Sequence, residues 1–230
     1  MKPGKTLLLH ALVASLLLIS CNNQFTKTEH GIKTEIGSTV TEIQFFSPEI
    51  VRIVKSEKGF DFNKTSLSVI KEPQKVSFSV TGNDSTIVAA TERVAVKIDI
   101  ATGAVSFASQ DGKILLTEMA NGASFTAKED LGEATFAVKQ LYTLDRDEQV
   151  YGLGQFQNGK MSQRNQELKM VQEILETAVP FMLSTKGYGL FWDNYSPTVF
   201  KDNPDTTSFD SEVGDCIDYY FMTGENADGV

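Results

Sequence analysis

Two clusters in this chain carry side chains able to do or support chemistry. Asp145-Arg-Asp-Glu148 sets three acids within four residues, a composition that suits a solvated turn ahead of a strand. Trp192-Asp193-Asn194 puts an indole beside an acid and an amide, which together can meet the apolar face and the hydroxyls of a sugar. The competing reading is an indole packed in the core or at its rim. Between them, Tyr151-Gly-Leu-Gly154 places two glycines where a strand enters a loop. It lacks the third glycine of a dinucleotide fingerprint and no anion-binding helix start follows, so phosphate is not its ligand.

The elements that must position these residues read as strands. Val76-Ser-Phe-Ser-Val80 and Val94-Ala-Val-Lys-Ile-Asp-Ile100 alternate apolar and polar residues, the period of a half-buried strand. Ala101-Thr-Gly103 turns the chain into Val105-Ser-Phe107, Asp111-Gly112 marks the next turn, and Lys113-Ile-Leu-Leu116 reads as another strand. Ile217-Asp-Tyr-Tyr-Phe221 closes the series. Gln166 to Thr177 admits both a helix and, through Leu168-Lys-Met170, a strand. Ser196 to Asp215, with Pro197 and Pro204, reads as a loop. With no internal repeat, closely spaced turns make an all-β sandwich the economical architecture.

Charge and cysteines narrow the function classes. A net charge of -9 and a pI near 4.8 supply no basic surface for nucleic acid, which is excluded as a partner. Lys2 and Lys5 precede an apolar run from Leu7 to Ile19, too short to span a bilayer comfortably, and Leu18-Ile-Ser-Cys21 resembles a bacterial lipobox. The expected layout is a lipoprotein signal over 1-21, lipidation at Cys21, a flexible tether over 22-40 and a sandwich over 41-230. The lipid chains would anchor an exported protein to a membrane of the bacterial cell envelope. Cys216 is then left without a partner and is expected as a buried, inert thiol. His10 and His30 fall in the signal and the tether, so no His-based metal site or triad is expected in the folded part.

Glu148-Gln-Val-Tyr-Gly-Leu-Gly-Gln155, then Arg164, then Pro180-Phe181, Lys186-Gly-Tyr-Gly189 and Trp192-Asp-Asn194 occur in an order that resembles the N-terminal domain of glycoside hydrolase family 31. Ile100-Ala-Thr-Gly-Ala-Val-Ser-Phe107 resembles the family's early hairpin, and Glu212 to Phe221 is similar to its α-xylosidase-type branch. The resemblance covers roughly residues 41 to 230. It implies a galactose-mutarotase-like β-sandwich that precedes a (β/α)8 barrel, in an enzyme acting on oligosaccharides with α-linked xylose or glucose. Retaining hydrolysis uses two carboxylates about 5 Å apart, and in this family both stand on the barrel. No catalytic residue, metal or cofactor is therefore assigned here, and the chain alone is expected to be inactive.

The resemblance also nominates substrate-contacting residues. In family members the loop after Tyr-Gly-Leu-Gly reaches over the barrel mouth, which points to Gln155, Gln157, Arg164 and Asn165 beside Trp192 and Asp193. Asn165 stands where related sequences place glycine, and Asn tolerates positive φ better than most residues. The alternative for Arg164 is a purely structural pairing with Glu167 or Glu173. Gly224 to Val230 resembles the family's link into the barrel, so a truncated or split enzyme is expected. The rival expectation is a stand-alone carbohydrate-binding surface lipoprotein.

Overall fold

A computed structural model describes residues 24–60, 62 and 64–230; the signal, Cys21 and the first residues of the expected tether lie outside the described residues. Strands β1 (Thr26–Lys27), β2 (Gly31–Ile36), β3 (Thr39–Phe45) and β4 (Ile50–Glu57) open the chain. After the long connection 58–78 come β5 (Ser79–Gly82), β6 (Thr86–Ala90), β7 (Val94–Asp99) and β8 (Val105–Ser109). The long β9 (Ile114–Asp130) and β10 (Glu133–Thr143) form a hairpin, followed by β11 (Val150–Gln155), β12 (Glu167–Met170) and β13 (Thr177–Ser184). The series ends with β14 (Tyr188–Trp192), β15 (Thr198–Asp202), β16 (Thr207–Gly214) and β17 (Ile217–Thr223).

Among the described residues there is no helix, and the strands form two antiparallel sheets. One has eight strands in the order β1-β2-β3-β4-β17-β14-β13-β11; the other has nine, β12-β15-β16-β10-β9-β8-β7-β6-β5. Alternation drives the assembly: in β7 Val94, Val96 and Ile98 are buried while Lys97 is exposed, so each sheet turns one apolar face inward. Phe107 of the nine-stranded sheet stacks on Phe221 of the eight-stranded one at 4.1 Å between centroids.

Two expectations require correction and one open alternative is decided. The tether over 22-40 is strand from Thr26 onward: Thr34 Oγ1 donates to the Gln24 carbonyl, β2 pairs with β3, and Ile32 is buried in the core. His30 accordingly lies inside the fold, although no cluster of metal-ligating residues occurs among the described residues. Ser196 to Asp215 is a hairpin rather than a loop. Phe209 buries its ring against Trp192 and Tyr142 and Phe200 packs edge-on against Phe209, Pro197 stands just ahead of β15, and Pro204 falls in the turn that Asn203 Oδ1 holds. For Gln166 to Thr177, the strand alternative holds over Glu167–Met170, where Leu168 and Met170 are buried and Lys169 is exposed.

Cys216 is buried and free, and burial pushes its thiol up to about 12. No helix of the described residues is long and apolar enough to cross a membrane.

Candidate functional site

The two ends of the sandwich differ. At the first, β11 finishes at Gln155 beside Thr177, β14 finishes at Trp192, and the 171–176, 193–197 and β9–β10 connections gather; this is the loop end. At the other end lie Asp145 to Glu148, the Thr185–Gly187 turn and Gly224. The segment 156–163 leaves Gln155 at the loop end and runs back along the edge strand, where the Gln163 amide donates to the Val150 carbonyl at 2.7 Å. It shields a sheet edge that would otherwise be open.

This path separates the nominated residues. Gln155 and Gln157 are exposed near the loop end, whereas Arg164 and Asn165 sit at the far end of β11, about 17 Å away along a six-residue strand. The close pairing of β11 with β13, whose register shifts between Gly152 and Gly154, needs both glycines: they adopt φ of 96° and 109° and lie against the β13 backbone, where a Cβ on Gly152 would fall 2.5 Å from the Phe181 carbonyl oxygen.

Arg164 is an anchor of its own domain. Its Nε donates to Asp202 Oδ2 at 2.9 Å, and its Nη1 donates to the carbonyls of Asp145 at 2.8 Å and Glu148 at 2.6 Å. The expected partners Glu167 and Glu173 are not used; Glu167 pairs with Lys201. Asn165 does take positive φ, 57°, and its amide donates to Asp202 Oδ2 at 2.6 Å. Arg164→Ala is expected to cost about 1.5–3 kcal/mol, the range for hydrogen bonds to charged groups, read as a lower urea midpoint. A midpoint within error of the parent would refute the anchoring role.

Glu148 departs from the solvated-turn reading. It is buried, accepts from Ser184 Oγ and Tyr188 OH at 2.5 Å each, and takes the Asp145 amide at 3.1 Å. Burial, reinforced by the Glu148 charge, holds the Tyr188 phenol well above its ordinary range.

Trp192 is not a sugar platform. It is fully buried, stacks on Phe209 at 5.2 Å, and donates from Nε1 to Ser211 Oγ at 2.9 Å. Asp193, the next residue, points to the outer face of the eight-stranded sheet and is also buried. Lys64 Nζ donates to its carbonyl and lies 3.9 Å from its Oδ1; neither carboxylate oxygen meets a hydrogen-bond donor among the described residues. Beside it Asp218 receives Arg52 through Nε at 2.9 Å and Nη2 at 2.7 Å, and Lys64 at 3.0 Å. Burial alone would lower Arg52, but the Asp218 contacts outweigh it and raise the guanidinium above its usual range. Nothing near Arg52 or Lys64 in the sequence announces Asp218 or Asp193 as partners.

The fold defines the class of this protein: an all-β, two-sheet antiparallel sandwich domain whose exposed candidates, Gln155 and Gln157, stand at and just beyond the end of β11. Its family follows from comparison with known proteins. Residues 40–201 match the Glycosyl hydrolase 31 N-terminal galactose mutarotase-like domain, and the chain belongs to that family. It is similar to an α-xylosidase of Saccharolobus solfataricus, 29% identical over 205 residues, and to an α-glucosidase of Bacillus thermoamyloliquefaciens, 26% identical over 215 residues. The alignments cover 85% and 87% of this chain but 28% and 26% of those relatives, so the chain spans little more than a quarter of their length. Among solved structures it resembles a family 31 α-xylosidase from Xanthomonas citri, with TM-score 0.72 and 30% identity over 76% of this chain and 20% of that one. A Flavobacterium johnsoniae family 31 dextranase gives TM-score 0.73 and 26% identity over 87% of this chain and 26% of its own.

Proposed function

We propose that this chain is the non-catalytic N-terminal sandwich of an exported, lipid-anchored α-glycosidase of α-xylosidase or α-glucosidase type. It packs on a (β/α)8 barrel and lines the entrance through which an α-linked oligosaccharide reaches the acid pair. The observation that carries this reading is the division of labour on β11: Gln155 and Gln157 remain exposed at the loop end, while Arg164 is consumed in holding the far end. Exposed amides can bind sugar hydroxyls in ground and transition states alike, which tunes affinity without changing the bond-breaking step. The burial of Trp192 counts against the stand-alone sugar-binding alternative, since that reading drew on its ring.

In the enzyme that carries this domain with its barrel, Gln155→Ala with Gln157→Ala is expected to raise KM for an α-linked oligosaccharide several-fold and leave kcat unchanged. The chain by itself is expected to release no nitrophenol from an aryl α-xyloside or α-glucoside. Turnover by the purified chain would overturn the non-catalytic assignment, and an unchanged KM would remove the two glutamines from the entrance.

A further inference from the structure

The chain contains two Asn-Gly pairs, and the fold treats them in opposite ways. In such a pair the glycine nitrogen can attack the asparagine side-chain carbonyl carbon, because no Cβ crowds the ring closure and the glycine backbone is free to turn. Asn121-Gly122 lies inside β9, and Gly122 is buried. A Cβ on Gly122 would fall 2.8 Å from the Met119 carbonyl oxygen and 3.0 Å from that of Leu141, so the backbone there is closely packed. Pairing with β10 continues on both sides, Glu118 with Tyr142 and Ala123 with Gln140. Ring closure at Asn121 therefore has to wait for the hairpin to open.

Asn158-Gly159 lies in the connection 156–163, where residues 157 to 160 are all exposed. Nothing beyond its chain neighbours stands within 4 Å of where a Cβ on Gly159 would be, and the Gly159 amide makes no backbone hydrogen bond among the described residues. The Lys160 amide donates to Asn158 Oδ1 at 3.0 Å. That donor faces the oxygen on which negative charge develops when the side-chain carbonyl is attacked, which lowers the barrier to tetrahedral addition.

We propose that Asn158-Gly159 is a site of spontaneous covalent modification, at which the neutral amide beside Gln157 becomes a carboxylate. Hydroxide takes the Gly159 amide proton, the nitrogen bonds to Asn158 Cγ, and the side-chain nitrogen leaves as ammonia after taking a proton from water. A cyclic imide remains. Water adds to either imide carbonyl and cleaves one C–N bond, giving aspartate by one route and isoaspartate by the other. Both products place a negative charge next to Gln157, and isoaspartate also adds a methylene to the main chain of the connection. The modification stands independently of the function proposed above; its effect on substrate rests on that reading.

The test incubates the purified chain at mildly alkaline pH and follows the tryptic peptides 147–160 and 114–128 by mass spectrometry. Amide-to-acid conversion at Asn158 is expected to run at least about tenfold faster than at Asn121 in the folded chain, since only Asn121 needs β9 to open. In urea the two rates should converge. Equal rates in the folded chain, or an Asn158 amide that persists while Asn121 converts, would overturn the proposal. So would a difference of the same size in urea, which would trace it to flanking sequence rather than to the fold. Asn158→Gln should abolish conversion in peptide 147–160, because the longer side chain closes a less favourable ring; conversion that survives it would belong to another amide and would also overturn the proposal. In the enzyme that carries this domain with its barrel, incubated protein and fresh Asn158→Asp should both show a KM raised several-fold, while incubated Asn158→Gln keeps the KM it had when fresh. Conversion with an unchanged KM would leave the modification site standing and count against Gln157 at the entrance, so the two readings fail separately.

Discussion

Lys55→Met is expected to destabilise the domain by about 3–5 kcal/mol, the cost of leaving one member of a buried ion pair uncompensated. Lys55 on β4 and Glu118 on β9 are almost wholly buried, and Lys55 Nζ donates to Glu118 Oε2 at 2.5 Å and to the Gly103 carbonyl at 3.2 Å. Glu118 also takes the Val105 amide at 2.7 Å on Oε2 and Tyr219 OH at 2.7 Å on Oε1. Lys55 and Tyr219 belong to the eight-stranded sheet, Glu118 and Val105 to the nine-stranded one, so the cluster ties the two layers through the core. Methionine fills the volume of the lysine stem but strands the carboxylate. Adding Glu118→Gln should recover part of the loss, because a neutral amide needs no counter-charge, and the double-mutant cycle measures the coupling. Urea denaturation with Lys55→Met inside about 1 kcal/mol of the parent would show that solvent reaches Glu118 and that the pair does not bridge the sheets.

Trp192→Ala should cost a comparable 3–5 kcal/mol, roughly the range for deleting a buried aromatic and leaving a cavity. The indole lies between Phe209 at 5.2 Å and Tyr219 at 6.5 Å, nearly parallel to both, so the cavity would open between the sheets. Trp192→Phe should lose far less, since it keeps most of the stacking and gives up mainly the Ser211 hydrogen bond. Trp192 is the only tryptophan, so its emission should be blue-shifted when folded and should report unfolding directly. Emission that shifts on addition of sugar without unfolding, or quenching by iodide in the native state, would place the ring at the surface after all.

Short-range signals were legible wherever the determinant lay within a few residues. Alternation located β7, the glycines flanking a weakly alternating run located β17, Gly103 and Gly112 turn the chain at positive φ as their surroundings demand, and Asn165 takes the left-handed conformation that its side chain tolerates. The ordered run from Tyr-Gly-Leu-Gly to Trp-Asp-Asn was enough to specify the family, because it samples several strands and their connections at once. At the N-terminal end the reading failed: residues 26–36 look like a polar tether, yet Ile32 and Thr34 are buried once β3 supplies the hydrogen-bonding edge.

By itself, then, the sequence determined an acidic all-β sandwich of family 31 with no acid pair assigned to catalysis. Only the tertiary structure decided which candidates are free to act. Arg164 meets Asp202 38 residues away, Lys55 meets Glu118 63 residues away, and Arg52 meets Asp218 166 residues away. Trp192 turns inward because β14 sits between β13 and β17. Such pairings depend on strand order and register across whole sheets, and a one-residue slip reverses which face a side chain occupies, so no local spacing can encode them. The same registers place Leu131, Ile174, Leu175 and Tyr195 at one end of the sandwich, although they come from three separate segments of the chain.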